Sequence, residues 1–160
     1  MTRLKFVVGT LAVLIGVGMV SYAQGINGNT HLGTWITTVT PPAASGRPAF
    51  KVLSTFGSGG ALIISTSNDH LANAGIQHGS WLRGDHGEIN STEIWFIYSP
   101  TGMAVGTMKT RATYDFPDAD HITGRGELGV CDLGGANCMW FPGFASIEGN
   151  RLKVEEPAGP

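Results

Sequence analysis

The chain has 160 residues, of which 42% are hydrophobic and 14% are charged, and its formal net charge is -2. This length points to at most one domain. Because charged residues are scarce and no run of lysine or arginine occurs, the composition argues against a nucleic-acid groove and a polybasic membrane patch. The apolar content argues against a disordered chain.

The first 23 residues have the layout of a secretory signal peptide. Arg3 and Lys5 precede an uncharged stretch from Phe6 to Val20, and Ser21-Tyr22-Ala23 places small residues before a cleavage site. The stretch is short for a hydrocarbon core of roughly 30 Å. We therefore predict a secreted or periplasmic protein without a permanent membrane anchor, the alternative being a signal that stays uncleaved.

Cys131 and Cys138 are the only cysteines, and six residues separate them. In an exported chain this spacing predicts one short-loop disulfide. A zinc site is the alternative, but two thiolates without a second close pair make an incomplete ligand set. The expected disulfide would staple one turn and contribute about 2 to 3 kcal/mol of stability.

Beyond residue 29 the chain consists of short runs rich in threonine, valine, isoleucine and aromatic residues, separated by glycine, proline, asparagine and aspartate. This pattern, with no long helical period, predicts β-strands throughout. The predicted strands are His31 to Thr40, Phe50 to Phe56, Ala61 to Thr66, His78 to Arg83, Glu88 to Tyr98, Met103 to Tyr114, His121 to Asp132 and Ala145 to Val154.

About eight strands joined mostly by short connections predict an all-β fold for residues 24–154. An up-and-down antiparallel barrel is the simplest arrangement because closure removes edge strands. A β-sandwich is the alternative. Residues 67–77 are interpreted as a long loop with one helical turn, and residues 155–160 as a polar tail.

Five short motifs mark positions along the predicted strands: Gly33-Thr34-Trp35, Pro41-Pro42, Gly79-Ser80-Trp81, Gly106-Thr107 and Thr123-Gly124. Together they resemble the pattern of secreted bacterial lipocalin-like proteins of unknown function, which belong with the calycin barrels. The resemblance implies a calycin-like barrel with an apolar cavity, and it transfers neither a ligand nor a catalytic residue. The chain departs from lipocalins in having no clear Thr-Asp-Tyr turn and no C-terminal amphipathic helix.

Five aromatic residues can point to one side of the predicted sheet if the strand period is right. Aromatic and aliphatic side chains line the cavities that bind small apolar molecules. We therefore predict that the ligand contacts Trp35, Phe50, Phe56, Trp81 and Trp95. A simply filled core is the alternative, since eight strands leave an interior that side chains can fill.

Two charged residues lie on otherwise apolar or threonine-rich strands. Glu93 alternates in phase with Ile89 and Trp95, and Arg111 shares a face with Val105. If both faces point inward, Glu93 and Arg111 could pair across adjacent strands. The pair could then orient a polar ligand group, or act as acid and base in a cyclase or isomerase resembling allene-oxide-cyclase-type barrels. The alternatives are that these faces meet water, or that the two residues form a fixed ion pair.

The predicted strand from Glu88 to Tyr98 is apolar on both faces, because Ile94 and Phe96 alternate with Trp95. An exposed apolar surface of this kind is normally covered. We expect either the Trp140-Phe141 segment or a second copy of the chain to cover it.

Recognised motifs for cofactors, metals and nucleophilic catalysis are missing from the sequence. There is no phosphate loop, dinucleotide fingerprint, nucleophile elbow or His-Glu-x-x-His pattern. We therefore expect no cofactor, no metal and no nucleic-acid partner. Three functions stay open: binding of a small apolar molecule, catalysis in a barrel cavity, and a structural or interaction module with a filled core.

Overall fold

A computed structural model describes residues 30–68, 75–157 and 159. The predicted signal peptide lies outside the described residues, as do residues 69–74 of the loop in which one helical turn is predicted. Within the described part of the chain, no helix is long and apolar enough to span a membrane.

The described residues form nine β-strands and one short 3-10 turn, Ala43–Ser45. The strands are β1 (Gly33–Thr40), β2 (Phe50–Phe56), β3 (Ala61–Thr66), β4 (Gln77–Arg83), β5 (Ile89–Tyr98), β6 (Ala104–Asp115), β7 (His121–Cys131), β8 (Met139–Trp140) and β9 (Ala145–Arg151).

All strand pairs are antiparallel, and β1 to β7 pair in chain order. Strand β9 then lies between β7 and β1, where it pairs with both. The fold is therefore a closed eight-stranded antiparallel barrel with β8 as one extra strand paired to β7. The predicted all-β barrel is confirmed and the sandwich alternative is wrong, because β9 joins the last strand of the meander to the first.

Burial along the strands follows the period of two that the sequence shows. In β2 the buried residues are Val52, Ser54 and Phe56, and the exposed ones between them are Lys51, Leu53 and Thr55. In β5 the buried residues are Ile89, Ser91, Glu93 and Trp95. Since successive side chains of a strand point to opposite faces, this alternation separates a barrel interior from an outer wall.

One end of the barrel is filled by side chains and is called the closed end below. It holds residues 30–32 and the β2–β3, β4–β5 and β6–β7 turns. Its centre is Phe116, whose ring lies 5.1 Å from that of Trp35 and 5.9 Å from that of Phe56. The buried apolar residues packed with them include Leu62, Ile89, Tyr114 and Ile122. The opposite end, called the open end, carries the β1–β2, β3–β4, β5–β6 and β7–β9 connections.

The structure differs from the predicted elements near the C terminus. Strand β8 is absent from the prediction because only two residues form it, and the Phe141 amide donates to the Leu128 carbonyl beside it at 2.9 Å. The last strand ends at Arg151 and not at Val154, which is fully exposed. Beyond Arg151 the Leu152 amide still donates to Thr34, and the chain then leaves the barrel.

The predicted disulfide between Cys131 and Cys138 is confirmed, with a Cα–Cα distance of 4.0 Å. The loop it closes is also held by Asp132, whose carboxylate accepts from the Ala136 amide at 2.8 Å and from the Asn137 side chain at 2.7 Å. The cystine therefore reinforces a turn that already has its own hydrogen bonds.

Candidate ligand-binding site

The open end of the barrel contains a cavity of about 460 Å³. Its mouth lies between the β1–β2 connection, which contributes Pro42 and Ser45, and the segment before β9, which contributes Phe141 and Pro142. The 3-10 turn after Pro42 ends at Gly46, whose φ of 65° is in the left-handed region that glycine tolerates. This turn folds the connection toward the cavity mouth.

The cavity wall is mostly apolar. All eight barrel strands contribute to it: seven of them supply apolar side chains, and β4 supplies Gln77. The apolar wall residues within the strands are Val39, Phe50, Val52, Ile64, Trp95, Met108, Leu128, Ala145 and Ile147. Such a surface can contact the apolar part of a ligand, and the few polar groups then fix the orientation of that ligand.

The five aromatic residues predicted to contact a ligand divide between the two ends. Phe50 and Trp95 line the cavity. Trp35, Phe56 and Trp81 pack at the closed end instead, against the core around Phe116. The prediction therefore identified the correct face of each strand, but period alone does not give the height of a residue along the barrel axis.

Hydrogen bonds hold the two closed-end tryptophans in place. The Trp35 indole N–H donates to the His31 carbonyl at 2.9 Å, and the Trp81 indole N–H donates to the Gly57 carbonyl at 3.0 Å. The His31 ring meets Trp81 edge-on with centroids 4.4 Å apart. Because backbone carbonyls accept hydrogen bonds from both indole N–H groups, the two rings can pack inside the barrel and fill its closed end.

Glu93 borders the inner part of the cavity and is fully buried. Its Oε1 accepts a hydrogen bond from the Ser91 hydroxyl, whereas its Oε2 has no partner. Burial raises the pKa of Glu93 from 4.5 to about 7, although the Ser91 hydrogen bond acts in the opposite direction. The predicted inward orientation of Glu93 is what the structure shows.

Space for Glu93 comes from Gly79, which lies directly opposite on β4. A Cβ atom at position 79 would lie 3.0 Å from Glu93 Cγ and would also meet the Thr92 carbonyl oxygen. The missing side chain therefore lets the carboxyl side chain cross the neighbouring strand.

Tyr114 on β6 completes the polar group at this depth. Burial raises the pKa of its phenol well above its usual range, and the charge of Glu93 adds to the rise, while a hydrogen bond with Ser91 lowers it. Tyr114 therefore stays neutral and can donate or accept a hydrogen bond. Ser91 and Tyr114 were not predicted as site residues, although both lie in phase with interior residues of their strands.

Arg111 does not meet Glu93. Across the β5–β6 pair Arg111 is opposite Thr92, and its side chain lies on the outer wall with 52% of its surface exposed. There it binds the Glu127 carboxylate at 2.5 Å, and its guanidinium lies 3.8 Å from the Trp140 ring centre. The conditional pairing of Glu93 with Arg111 is wrong because the Arg111 face of β6 points outward.

The outer face of β5 is only partly covered. The cystine loop packs there, since a Cβ atom on Gly135 would contact Ile94 Cδ1. Phe96 stays 48% exposed, with its ring 6.4 Å from that of Tyr98. The Trp140 ring packs over Gly129 of β7 and not over β5, so it does not supply the expected cover.

His31 is the second buried residue with an unpartnered polar atom, its Nε2. Desolvation lowers the pKa of the imidazole, and the charges of Arg83 and Arg151 lower it further. His31 therefore stays neutral in the folded protein at the closed end, away from the cavity.

Within residues 30–68 and 75–157, no three histidine, cysteine or acidic side chains lie together in a way that could hold a metal ion. Comparisons of the chain with protein-family models, with curated proteins and with solved structures found no match. The cavity is therefore the feature of this chain that bears on its function.

Proposed function

We propose that this protein is a secreted or periplasmic, lipocalin-like barrel that binds one small, mostly apolar molecule. The observation that carries the proposal is the cavity of about 460 Å³ at the open end, whose wall is apolar except for a few polar groups. This volume lies within the range of roughly 300 to 1,000 Å³ typical of small-molecule sites. The disulfide is compatible with an exported protein.

The division of the barrel interior supports a binding role over a purely structural one. A structural module needs only a filled core, and the closed end already provides one around Trp35 and Phe116. The open end keeps its apolar side chains Val52, Ile64 and Ile147 around a space. The side chains around this space lack dispersion contacts that a filled core would give them, and a bound apolar molecule would restore those contacts.

The proposal can be tested with a fluorescent apolar probe, N-phenyl-1-naphthylamine. We expect the protein to bind about one probe per chain. In Ala145→Trp an indole would occupy the cavity, since Ala145 lines it, and affinity should fall at least tenfold. The matched control is Ser146→Trp, which adds the same group to the exposed face of the same strand and should change affinity less than twofold.

Two results would contradict the proposal. One is failure of the unmodified protein to bind the probe. The other is equal loss of affinity in Ala145→Trp and Ser146→Trp, which would place the probe outside the cavity. Native mass spectrometry of protein purified from its natural host, followed by denaturing extraction, would identify the natural ligand.

A second candidate function is proton-transfer catalysis at Glu93, as in a barrel cyclase or isomerase. The observation that favours it is a buried carboxyl with a pKa of about 7 beside a cavity, since an acid or base works best with a pKa near the working pH. With the extracted molecule as substrate, Glu93→Gln should abolish turnover and spare binding. Unchanged turnover would remove this candidate.

A further inference from the structure

We propose that the molecule bound in the cavity carries a basic nitrogen at one end of an apolar body and enters with that end first, toward Glu93. This inference rests on the proposed binding function and names the chemical class of the ligand. It follows from which polar groups border the cavity and which of them already have partners.

The first observation is that Oε2 of Glu93 has no hydrogen-bond partner. Buried polar atoms in folded proteins nearly always have a hydrogen-bond partner, and leaving one without a partner is costly. Glu93 is fully buried and borders the cavity, yet only its other oxygen has a partner, Ser91. A hydrogen-bond donor at the inner end of a ligand would satisfy Oε2.

The second observation concerns the charged groups that line the cavity. The charged residues that line it are Arg47, Glu93 and Glu127. Arg47 is exposed on the β1–β2 connection at the mouth, and Arg111 on the outer wall already binds the Glu127 carboxylate. Of these three residues, Glu93 alone lies deep and lacks a countercharge, so an ammonium group would supply both the missing donor and the missing charge.

The strands on both sides of Glu93 bring no competing cation. On β4 its neighbours are Gly79, directly opposite, and Gln77, which is uncharged. On β6 its neighbours are Thr110 and Tyr114, and the phenol stays neutral. A ligand with a carboxylate at its inner end would place two negative charges together, whereas an alcohol would supply a donor without the charge.

Three probes of equal chain length separate these possibilities: decylamine, 1-decanol and decanoate. Binding is measured at pH 8 by displacement of N-phenyl-1-naphthylamine from the full-length mature protein. We expect decylamine to bind at least tenfold more tightly than decanol, and decanoate to bind most weakly. In Glu93→Gln the preference for the amine should fall to less than threefold. Glu148→Gln, which removes an exposed acidic group from β9, should keep the tenfold preference.

The outcomes distinguish this inference from the proposed function. Equal binding of amine and alcohol to the unmodified protein, or an amine preference unchanged in Glu93→Gln, would overturn the inference and leave the binding function standing. Failure of all three compounds and of the fluorescent probe would overturn both.

A pH series on the unmodified protein provides a second test that needs no variant. An alkylamine stays protonated from about pH 5.5 to pH 8.5, because amines of this type titrate near pH 10. As Glu93 loses its proton across that range, the affinity for decylamine relative to decanol should rise about tenfold. A ratio near one at every pH would overturn the inference, whereas a ratio that is high at every pH would show that Glu93 is ionised throughout the range.

Discussion

Arg151 at the end of β9 places its guanidinium carbon 4.3 Å from the ring centre of Trp35 on β1. Its Nε donates to the Ala119 carbonyl at 2.6 Å, and its Nη1 donates to the Leu32 carbonyl at 2.6 Å. One side chain therefore joins the last strand, the β6–β7 turn and the chain before β1. Because β9 pairs with β1 to close the barrel, this contact reinforces the closure at its end.

Replacing Arg151 with alanine should destabilise the protein by about 3 kcal/mol, because it removes a cation–π contact and several charge-assisted hydrogen bonds to carbonyl groups. Urea denaturation measures the change. The control is Arg125→Ala, whose guanidinium lies on the outer wall 5.7 Å from the Phe144 ring and should cost less than about 0.5 kcal/mol. Equal losses of unfolding free energy in the two variants would show that Arg151 does not stabilise the closure of the barrel.

The buried carboxyl of Glu93 should make stability depend on pH. Its pKa is about 7 in the folded protein and near 4.5 when exposed, so the folded state holds its proton more tightly. The free energy of unfolding is therefore unaffected by this group below about pH 4.5 and falls by about 3 kcal/mol as the pH rises to 7 and above.

Glu93→Gln should remove that dependence. The variant should gain about 3 kcal/mol relative to the unmodified protein between pH 4.5 and pH 8, measured by chemical denaturation at each pH. Taking the difference between the two proteins cancels the opposite contribution of His31, whose lowered pKa favours unfolding as the pH falls. A difference that stays constant with pH would show that Glu93 titrates normally.

Alanine at position 79 should be poorly tolerated. Its Cβ would collide with the Thr92 carbonyl and approach Glu93 Cγ to 3.0 Å, so β4 and β5 would have to separate. We expect a loss of about 3 kcal/mol or more, measured by thermal and urea unfolding. Gly57→Ala is the control, since the nearest atoms to its Cβ lie at 3.6 Å. A variant at position 79 as stable as the one at position 57 would contradict the role of Gly79 in making space.

Removing the disulfide should cost only a modest amount. Cys131→Ser with Cys138→Ser should lower stability by about 2 kcal/mol, because the loop is short and Asp132 still holds its turn. The same double variant combined with Asp132→Ala should lose distinctly more. Denaturant titration of the unmodified protein, the double variant and the triple variant measures these losses of stability. Complete unfolding of the double variant would show that the cystine is essential to the fold.

Association through the outer face of β5 is a prediction that oligomeric state can test. Phe96 is 48% exposed beside Tyr98, so a second copy seated there would bury both rings. In sedimentation velocity we expect a dimer for the unmodified protein and a monomer for Phe96→Ser. Leu82→Ser removes another exposed apolar residue, 63% exposed on β4, and should leave the dimer intact. A monomer observed for the unmodified protein would contradict the predicted interface.

Most strand positions follow from local patterns. The bounds of Phe50–Phe56 and Ala61–Thr66 agree with the prediction at both ends, because glycine or proline stands close to each strand and the residues between alternate. The inward orientation of Glu93 is equally local, since it shares a face with Ile89 and Trp95. The prediction was less accurate for β8 and for the end of β9, where pairing with a distant strand decides where a strand stops.

The site was harder to predict than the fold. Arg111 and Glu93 both lie on strongly alternating strands, but which face of β6 points inward depends on how β6 pairs with β5 and β7. Trp35 and Trp95 both face the interior, yet one fills the closed end and the other lines the cavity.

The sequence by itself determined the all-β class, the number of barrel strands, the disulfide and the faces of most strands, because each depends on residues close together in the chain. Only the tertiary structure decided that β9 closes the barrel onto β1, that one end is filled and the other hollow, and that Glu93 keeps an unpartnered oxygen beside the cavity. These features depend on strand register and on height along the barrel axis. Both are set by pairing between distant segments, and a period of two carries no information about either.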